Sequence, residues 1–183
     1  MNIETELTPN PETLKFIVGN EYINQSGIEI KNEEEAEKFK FAKDFFQLKG
    51  VQSIFIGESF IAVTKEKNVT WNYLKTKILT FMLDYISSNK IIIEKQVIKK
   101  LLKKNKKNKI SGDIEKIIDE KVRPAVAKDG GDITFENFDK GIVYLTLKGA
   151  CAGCPSSTAT LKQGIENLIM HYFPEVKEVR ALS

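Results

Sequence analysis

Both cysteines of this chain lie in one short loop, and little chain follows that loop. Cys151 and Cys154 are separated by two residues in the stretch Gly149-Ala150-Cys151-Ala152-Gly153-Cys154-Pro155-Ser156-Ser157, between a predicted strand and a predicted helix. Thiols at this spacing can bring their sulfur atoms together, and the unpaired N–H groups at a helix start favour the thiolate. Only about thirty residues follow Cys154, which is enough for one helix and one short strand.

Three chemistries use such a pair, and the plain alternative is two buried cysteines that pack as small hydrophobes. Thiol–disulfide exchange on a thioredoxin-like fold also sets a cysteine pair between a strand and a helix, but too little chain follows to build a redox domain. Zinc and iron–sulfur clusters remain, and both ordinarily take four protein ligands. One chain offers two thiols and a distant His171. Two copies of the loop, facing across a two-fold axis, would supply four thiolates for one shared cluster.

Composition indicates a soluble globular protein kept in a reducing compartment. At 183 residues and 42% hydrophobic content, the chain suits one compact domain or two small ones. Two cysteines in one CxxC argue against a secreted disulfide framework. Residues 1–6 are acidic and lack the features of a signal or transit peptide, and no stretch approaches the length of a membrane span. We therefore expect the bacterial cytoplasm; an organelle matrix would require that a presequence had been removed.

A lysine-rich segment divides the chain. Residues 91–112 contain eight lysines and one acid, Glu94, although the net charge of the whole chain is only +3. No aromatic residue or recognition element accompanies the lysines, so no nucleic-acid partner is predicted. Apolar residues at helical spacing would allow a basic amphipathic helix that touches a membrane or an acidic partner. The simpler interpretation is a helix extension that frays into a linker.

The first module, residues 1–90, shows strand and helix patterns but no ligand set. We predict a strand over 13–18, a helix from the Asn32 cap to about residue 48, strands over 51–56 and 60–64, and a helix after Thr70. The order is β-α-β-β-α. The module contains no cysteine, histidine, glycine-rich phosphate loop or paired carboxylates, so it is interpreted as a binding or spacing domain.

The second module, residues 113–183, contains the cysteines. We predict a helix capped by Ser111 or Asp113 and interrupted at Arg123-Pro124, a turn over 129–132, strands over 133–135 and 142–147, a helix over 155–172 and a strand over 176–181. The order is α-β-β-α-β. The chain is thus predicted to be α+β, with two small α/β modules, 1–90 and 113–183, joined by a basic linker over 91–112.

Several motifs, in this order, carry a resemblance to a known family. Val122-Arg123-Pro124-Ala125-Val126, Asp129-Gly130-Gly131-Asp132, Gly141-Ile142-Val143-Tyr144-Leu145 and the cysteine loop resemble the C-terminal domain of the NifU-like (Nfu) iron–sulfur proteins. The first module resembles the Nfu N-terminal domain through Thr8-Pro9-Asn10-Pro11, Phe60-Ile61-Ala62-Val63-Thr64 and Trp71. The departure is Lys40-Phe41-Ala42-Lys43, where the family usually has a Ser-Pro-Leu-Ala-like helix start.

The resemblance implies a non-enzymatic scaffold or carrier. Such a protein holds a 4Fe-4S cluster between two subunits, receives it from cluster-loading assembly proteins and hands it to apo iron–sulfur proteins. The implied ligands are Cys151 and Cys154, and the implied assembly is a homodimer on cluster binding. Neither sulfur is expected to support the core, so serine at either position should leave the fold largely intact. The alternatives are a thiol–disulfide oxidoreductase that uses the same pair and a zinc-bridged dimer.

Overall fold

Two sheets, each covered by helices, make up the protein in this computed structural model. The structure describes residues 3–88, 91–93, 109–152 and 157–182, with only the backbone described at 109 and 157–161. The first sheet has five strands and the second has three. The predicted α+β class, with two small mixed units, is therefore confirmed.

The first sheet is antiparallel throughout, in the order β1-β2-β5-β4-β3. Its strands are β1 (Glu4–Leu7), β2 (Thr13–Ile17), β3 (Ile28–Ile30), β4 (Val51–Ile56) and β5 (Phe60–Lys65). The three predicted strands are β2, β4 and β5. The sequence did not predict β1 or β3, because these edge strands are held by backbone pairing to one neighbour and have no strong apolar alternation.

Three helices cover one face of this sheet, and the predicted helix over 33–48 is wrong. The chain forms α1 (Glu33–Ala36) and α2 (Lys40–Phe45), followed later by α3 (Trp71–Ser87). Phe39 is extended between α1 and α2. Residues two apart point to different sides of a continuous helix, so the break is what allows both Phe39 and Phe41 to be buried. The Asn32 cap is confirmed, since its side chain accepts the Glu35 N–H at 2.8 Å.

The first core lies between the sheet and these helices. The predicted stripe of α3 supplies Leu74, Ile78, Met82 and Tyr85, all buried. The chain leaves this unit through a short clamp beyond α3. The Ile92 N–H donates to the Tyr22 carbonyl at 3.0 Å, and Ile93 forms a parallel bridge with Ile23. The predicted basic linker over 91–112 is only partly described. Its first residues form this clamp and residues 109–112 begin a helix instead of a linker, while residues 94–108 lie outside the described residues.

The second sheet has the order β6-β7-β8, so β7 is its central strand. The unit runs α4 (Lys109–Ile117), a π-helical turn (Ile118–Val122), α5 (Arg123–Lys128), β6 (Gly131–Asp139), β7 (Ile142–Gly149), α6 (Ser157–Tyr172) and β8 (Glu178–Leu182). Strand β6 pairs antiparallel with β7, and β8 pairs parallel with it. Helix α6 therefore connects two parallel neighbours and starts beyond the carboxyl end of β7.

The predicted interruption of the helix near Arg123-Pro124 is confirmed. The helix widens into a π turn just before these residues and continues to Lys128. The wider turn accommodates Pro124, which has no N–H for the carbonyl four residues earlier. Ser111 lies inside α4 and is not its cap. Among the described helices, none is long and apolar enough to cross a membrane.

Candidate metal centre

The carboxyl end of β7 delivers the cysteine loop. Gly149 has φ +64°, and a Cβ atom there would come within 2.6 Å of the Gly130 carbonyl oxygen. The Ala150 N–H donates to that same oxygen at 3.1 Å, and the Ala152 N–H donates to the Gly149 carbonyl at 3.0 Å. The chain turns out of the sheet here because glycine tolerates both the positive φ and the close backbone approach.

Cys151 is buried at the start of the loop. Its exposed fraction is 3%, and it packs in the second core among Ile114, Ile118 and Ile165. Its Sγ atom lies against Gly131, where an added Cβ would come within 2.6 Å of the sulfur. In this state Cys151 packs as a small hydrophobe. Binding a metal on the protein surface would require the loop to move so that this thiol is exposed.

Cys154 lies outside the described residues, so the distance between the two thiols is not part of the structure. Within the described ranges, no three or more side chains among histidine, cysteine, aspartate and glutamate come together as a metal site. His171 is in the last turn of α6, with its ring edge-on to Tyr172 at a centroid distance of 5.3 Å. This position agrees with the prediction that His171 stands at a helix end.

Arg123 binds the aspartate that follows Gly131, the glycine against which the Cys151 sulfur packs. Arg123 donates from one terminal nitrogen to both oxygens of Asp132, at 2.8 and 3.1 Å, and from its other two nitrogens to Asp119, at 2.7 and 3.1 Å. Burial acts to lower the pKa of Arg123, but the hydrogen bond to Asp119 and the nearby carboxylates outweigh it and raise that pKa. Asp132 also accepts the Ile133 N–H at 2.7 Å. Asp132 therefore fixes the Gly130-Gly131 turn instead of serving as a ligand.

Side chains of the first unit contact the same strand end. Glu29 accepts the Gly149 N–H at 3.0 Å, and the Asn10 side chain donates to the Ala150 carbonyl at 3.5 Å. Lys148 donates to the Gly27 carbonyl at 3.1 Å. Sequence reasoning missed these contacts, because nothing in a local pattern indicates which distant residue meets a strand end. One usable signal was that β4 and β5 are apolar on both faces. A sheet with one face in solvent would not need a second apolar face, so the pattern indicates that another part of the protein covers it.

Comparison with known proteins matches both parts of the chain to families. Residues 114–180 match the model of the NifU-like domain, and residues 3–89 match the model described as scaffold protein Nfu/NifU N terminal. The human "NFU1 iron-sulfur cluster scaffold homolog, mitochondrial" is 36% identical over 98% of this chain and 71% of its own length. "NifU-like protein 4, mitochondrial" of Arabidopsis thaliana is 39% identical over 98% of this chain, which spans 65% of that relative. A solution NMR structure of a NifU-like protein from Saccharomyces cerevisiae is 28% identical and covers 52% of this chain and 87% of its own, with a TM-score of 0.46.

The relatives overturn one prediction and agree with another. A bacterial cytoplasmic location is wrong on this evidence, because the human, Arabidopsis and Drosophila relatives are all named as mitochondrial and so point to mitochondria. The reason is that a residue pattern without targeting features carries no information about the compartment. The predicted resemblance is confirmed over nearly the whole chain, in both units and in the same order. The chain belongs to the NifU-like (Nfu) family of scaffold proteins.

Proposed function

We propose that this protein is an iron–sulfur cluster scaffold or carrier that binds a 4Fe-4S cluster between two subunits. Cys151 and Cys154 of each chain would supply the four thiolates that such a cluster takes. The observation that carries the proposal is the 36% identity, over 98% of this chain, to a relative named as an iron–sulfur cluster scaffold homolog. A cysteine at the carboxyl end of the central strand β7, at the edge of the unit that matches the NifU-like domain, supports it.

The cluster is cargo, so the chemistry is ligand exchange. Thiolates are the species that bind iron, and each can be replaced by an incoming thiolate of the recipient, one Fe–S bond forming as another breaks. The displaced cysteine takes up a proton as the recipient's thiol releases one, and neither iron nor sulfur changes oxidation state. This chain needs no oxidant or reductant for that sequence.

The division of the chain belongs to the same proposal. A first domain over 1–90, a basic linker over 91–112 and a cluster domain over 113–183 are supported by family matches at 3–89 and 114–180. Apo iron–sulfur proteins are the proposed recipients, and cluster-loading assembly proteins the proposed donors. The homodimer is proposed to form when the cluster binds.

Anaerobic metal analysis tests the proposed function. Protein purified and reconstituted without air should be brown and contain iron and sulfide in equal amounts, at one cluster per two chains. A colourless protein that reduces disulfides would favour thiol exchange instead, and zinc without sulfide would favour a zinc-bridged dimer. Either outcome would contradict the proposed role as an iron–sulfur cluster carrier.

A further inference from the structure

The first sheet is apolar on both faces. In β4, Ile54 and Ile56 point into the first core, while Phe55 between them points to the opposite face and is 2% exposed. In β5, Ile61 and Val63 belong to the first core, whereas Ala62 packs on the opposite side. An antiparallel sheet of this size commonly leaves one face to solvent. Because both faces here are buried, something covers the second one.

The second unit provides that cover. A Cβ atom added at Gly149 would come within 2.9 Å of the Phe55 ring, and one added at Gly130 would come within 3.7 Å of the Ala62 Cβ. Ala127 of α5 packs against the same apolar group. The covering surface is thus the end of β7 together with the turn that walls Cys151.

Three hydrogen bonds join this face to the end of the cysteine strand. Glu29 accepts the Gly149 N–H, and the Asn10 side chain donates to the Ala150 carbonyl. The Lys148 ammonium donates to the Gly27 carbonyl. Glu29 is well placed for this, because its side chain is only 11% exposed and also pairs with Lys31 at 3.6 Å. Because two of these hydrogen bonds are made to the backbone of the strand, they form only when the backbone follows this course at Gly149 and Ala150.

From these contacts we infer that the first unit carries a docking face for its own cysteine loop, and that this docking competes with cluster binding. The loop-docking face consists of Asn10, Gly27, Glu29, Phe55 and Ala62. Cys151 follows the docked Gly149-Ala150 pair directly, and its side chain is buried in the second unit's own core. The docking contacts therefore act on the backbone before the thiol: they hold Gly149 and Ala150 in the path that leaves Cys151 in that core. A cluster shared by two chains needs that thiol at a surface that a second loop can reach. The inference rests on the proposed function.

The occupant is this chain's own strand end and not a separate protein, because the two units are covalently joined. Covalent connection makes the contact between two units intramolecular, and the effective concentration of one unit at the other can then reach the millimolar range. The contact also has features of a separable interface. It encloses a cleft of about 470 Å³, lined in part by Lys15, Glu58, Arg123 and Asp132, and interfaces between units of one chain are typically polar and able to open.

Competition implies coupling in both directions. If docking holds the loop start in the path that buries Cys151, cluster binding must release the docking face, and weakening the docking must favour cluster binding by the same factor. Couplings of this kind are commonly about 5- to 150-fold. The first unit would then be released for other contacts only when the cluster is loaded.

The test uses the full-length chain and two variants of the loop-docking face. Ala62→Arg places a charge against the Gly130 turn, and Glu29→Gln removes only the charge of the acceptor for the Gly149 N–H. Matched controls are Ser87→Arg, at the exposed end of α3, and Glu34→Gln, exposed on α1. Thermal melts check that each variant folds. If Ala62→Arg does not fold, Glu29→Gln still tests the inference.

Two readouts are needed. NMR relaxation should show that the units of the wild-type apo chain tumble together, and that they tumble separately in Ala62→Arg and in the loaded wild type. Anaerobic reconstitution against a competing chelator should show cluster binding about tenfold tighter in Ala62→Arg, within the usual range of coupling, and more weakly enhanced in Glu29→Gln. The two controls should match the wild type.

Other outcomes would overturn the inference. Equal cluster affinity in all five proteins, or units that still tumble together after loading, would show that docking and loading are independent. Joint tumbling that depends on protein concentration would show that the contact forms between chains. A failure of every protein to bind iron and sulfide would refute the proposed function instead, while the relaxation data would still report whether the apo units dock.

Discussion

The sulfur of Cys151 lies so close to the backbone of Gly131 that a methyl group on that glycine would come within 2.6 Å of it. The glycine is therefore a steric requirement of the buried thiol. Its φ lies outside the left-handed region, so the requirement comes from space and not from backbone conformation.

The first prediction is that Gly131→Ala destabilises the protein and displaces the cysteine loop. Overpacking of this kind typically lowers the free energy of unfolding by about 1–3 kcal/mol. Urea denaturation measures it. The control is Gly164→Ala in α6, where a Cβ meets nothing within 4 Å; it should raise the free energy of unfolding by about 0.5–1 kcal/mol. Equal effects of the two substitutions would contradict the packing described for Cys151.

The second prediction is that substitutions of Cys151 affect both cluster binding and the stability of the apo protein. The expectation that neither sulfur supports the core is wrong for Cys151, which lies in the second core. Replacing it by serine should abolish cluster binding and also lower the free energy of unfolding by about 1–3 kcal/mol, because a hydroxyl is more polar than the thiol that it replaces in this buried core position. Cys151→Ala should abolish cluster binding with a smaller loss of stability.

Iron and sulfide analysis, with urea denaturation of the apo proteins, checks both parts. Cys154→Ser is the companion variant and should also lose the cluster. A single cysteine variant that retained a full complement of iron would remove these residues from the ligand set.

The third prediction concerns assembly. We expect the apo chain to be a monomer or weak dimer and the loaded chain to be a dimer with one cluster per two chains, because a ligand that binds only the paired form stabilises it. Sedimentation with parallel iron counting measures this. One cluster per monomer would contradict the shared site and would demand ligands beyond Cys151 and Cys154.

The fourth prediction is that the second unit can bind a cluster alone. A chain that starts at residue 108, just before α4, should fold, dimerise on loading and bind the cluster, since its core is built from its own residues. Transfer to a physiological recipient should be slower or less selective, because the first unit is then unavailable to dock the partner. Transfer rates of the truncated and full-length proteins, side by side, test this. Loss of cluster binding on truncation would show that the first unit helps to build the site.

Sequence patterns predicted the elements whose own residues are mostly apolar or apolar at helical spacing. Strands β4 and β5 are short apolar runs and helix α3 has a core stripe, so local burial alone selects them. The predicted helix over 33–48 failed where two buried aromatics, Phe39 and Phe41, could not share one helix face. Edge strands β1 and β3 were missed because backbone pairing with one neighbouring strand, rather than burial, holds them.

The sequence offers candidate ligands but does not predict what surrounds them. A CxxC loop at the end of a strand predicts Cys151 and Cys154 as the ligands, and that assignment stays a prediction. Cys151 lies against Gly131 on the neighbouring strand, and the strand end before it is held by Glu29, which is 120 residues away from Gly149 along the chain. Such contacts depend on how the two sheets meet, and no local pattern encodes that.

The clamp of Ile92 and Ile93 on the first unit sets a length limit for delivery. It fixes the chain at Ile93, and α4 begins at Lys109. Even a fully extended chain over the steps from residue 93 to residue 109 spans no more than about 58 Å. Under the proposed function, a recipient held by the first unit must therefore be reached by a cluster unit whose α4 stays within that distance of the clamp, which makes the interval between the clamp and α4 a ruler for the size and orientation of acceptable recipients.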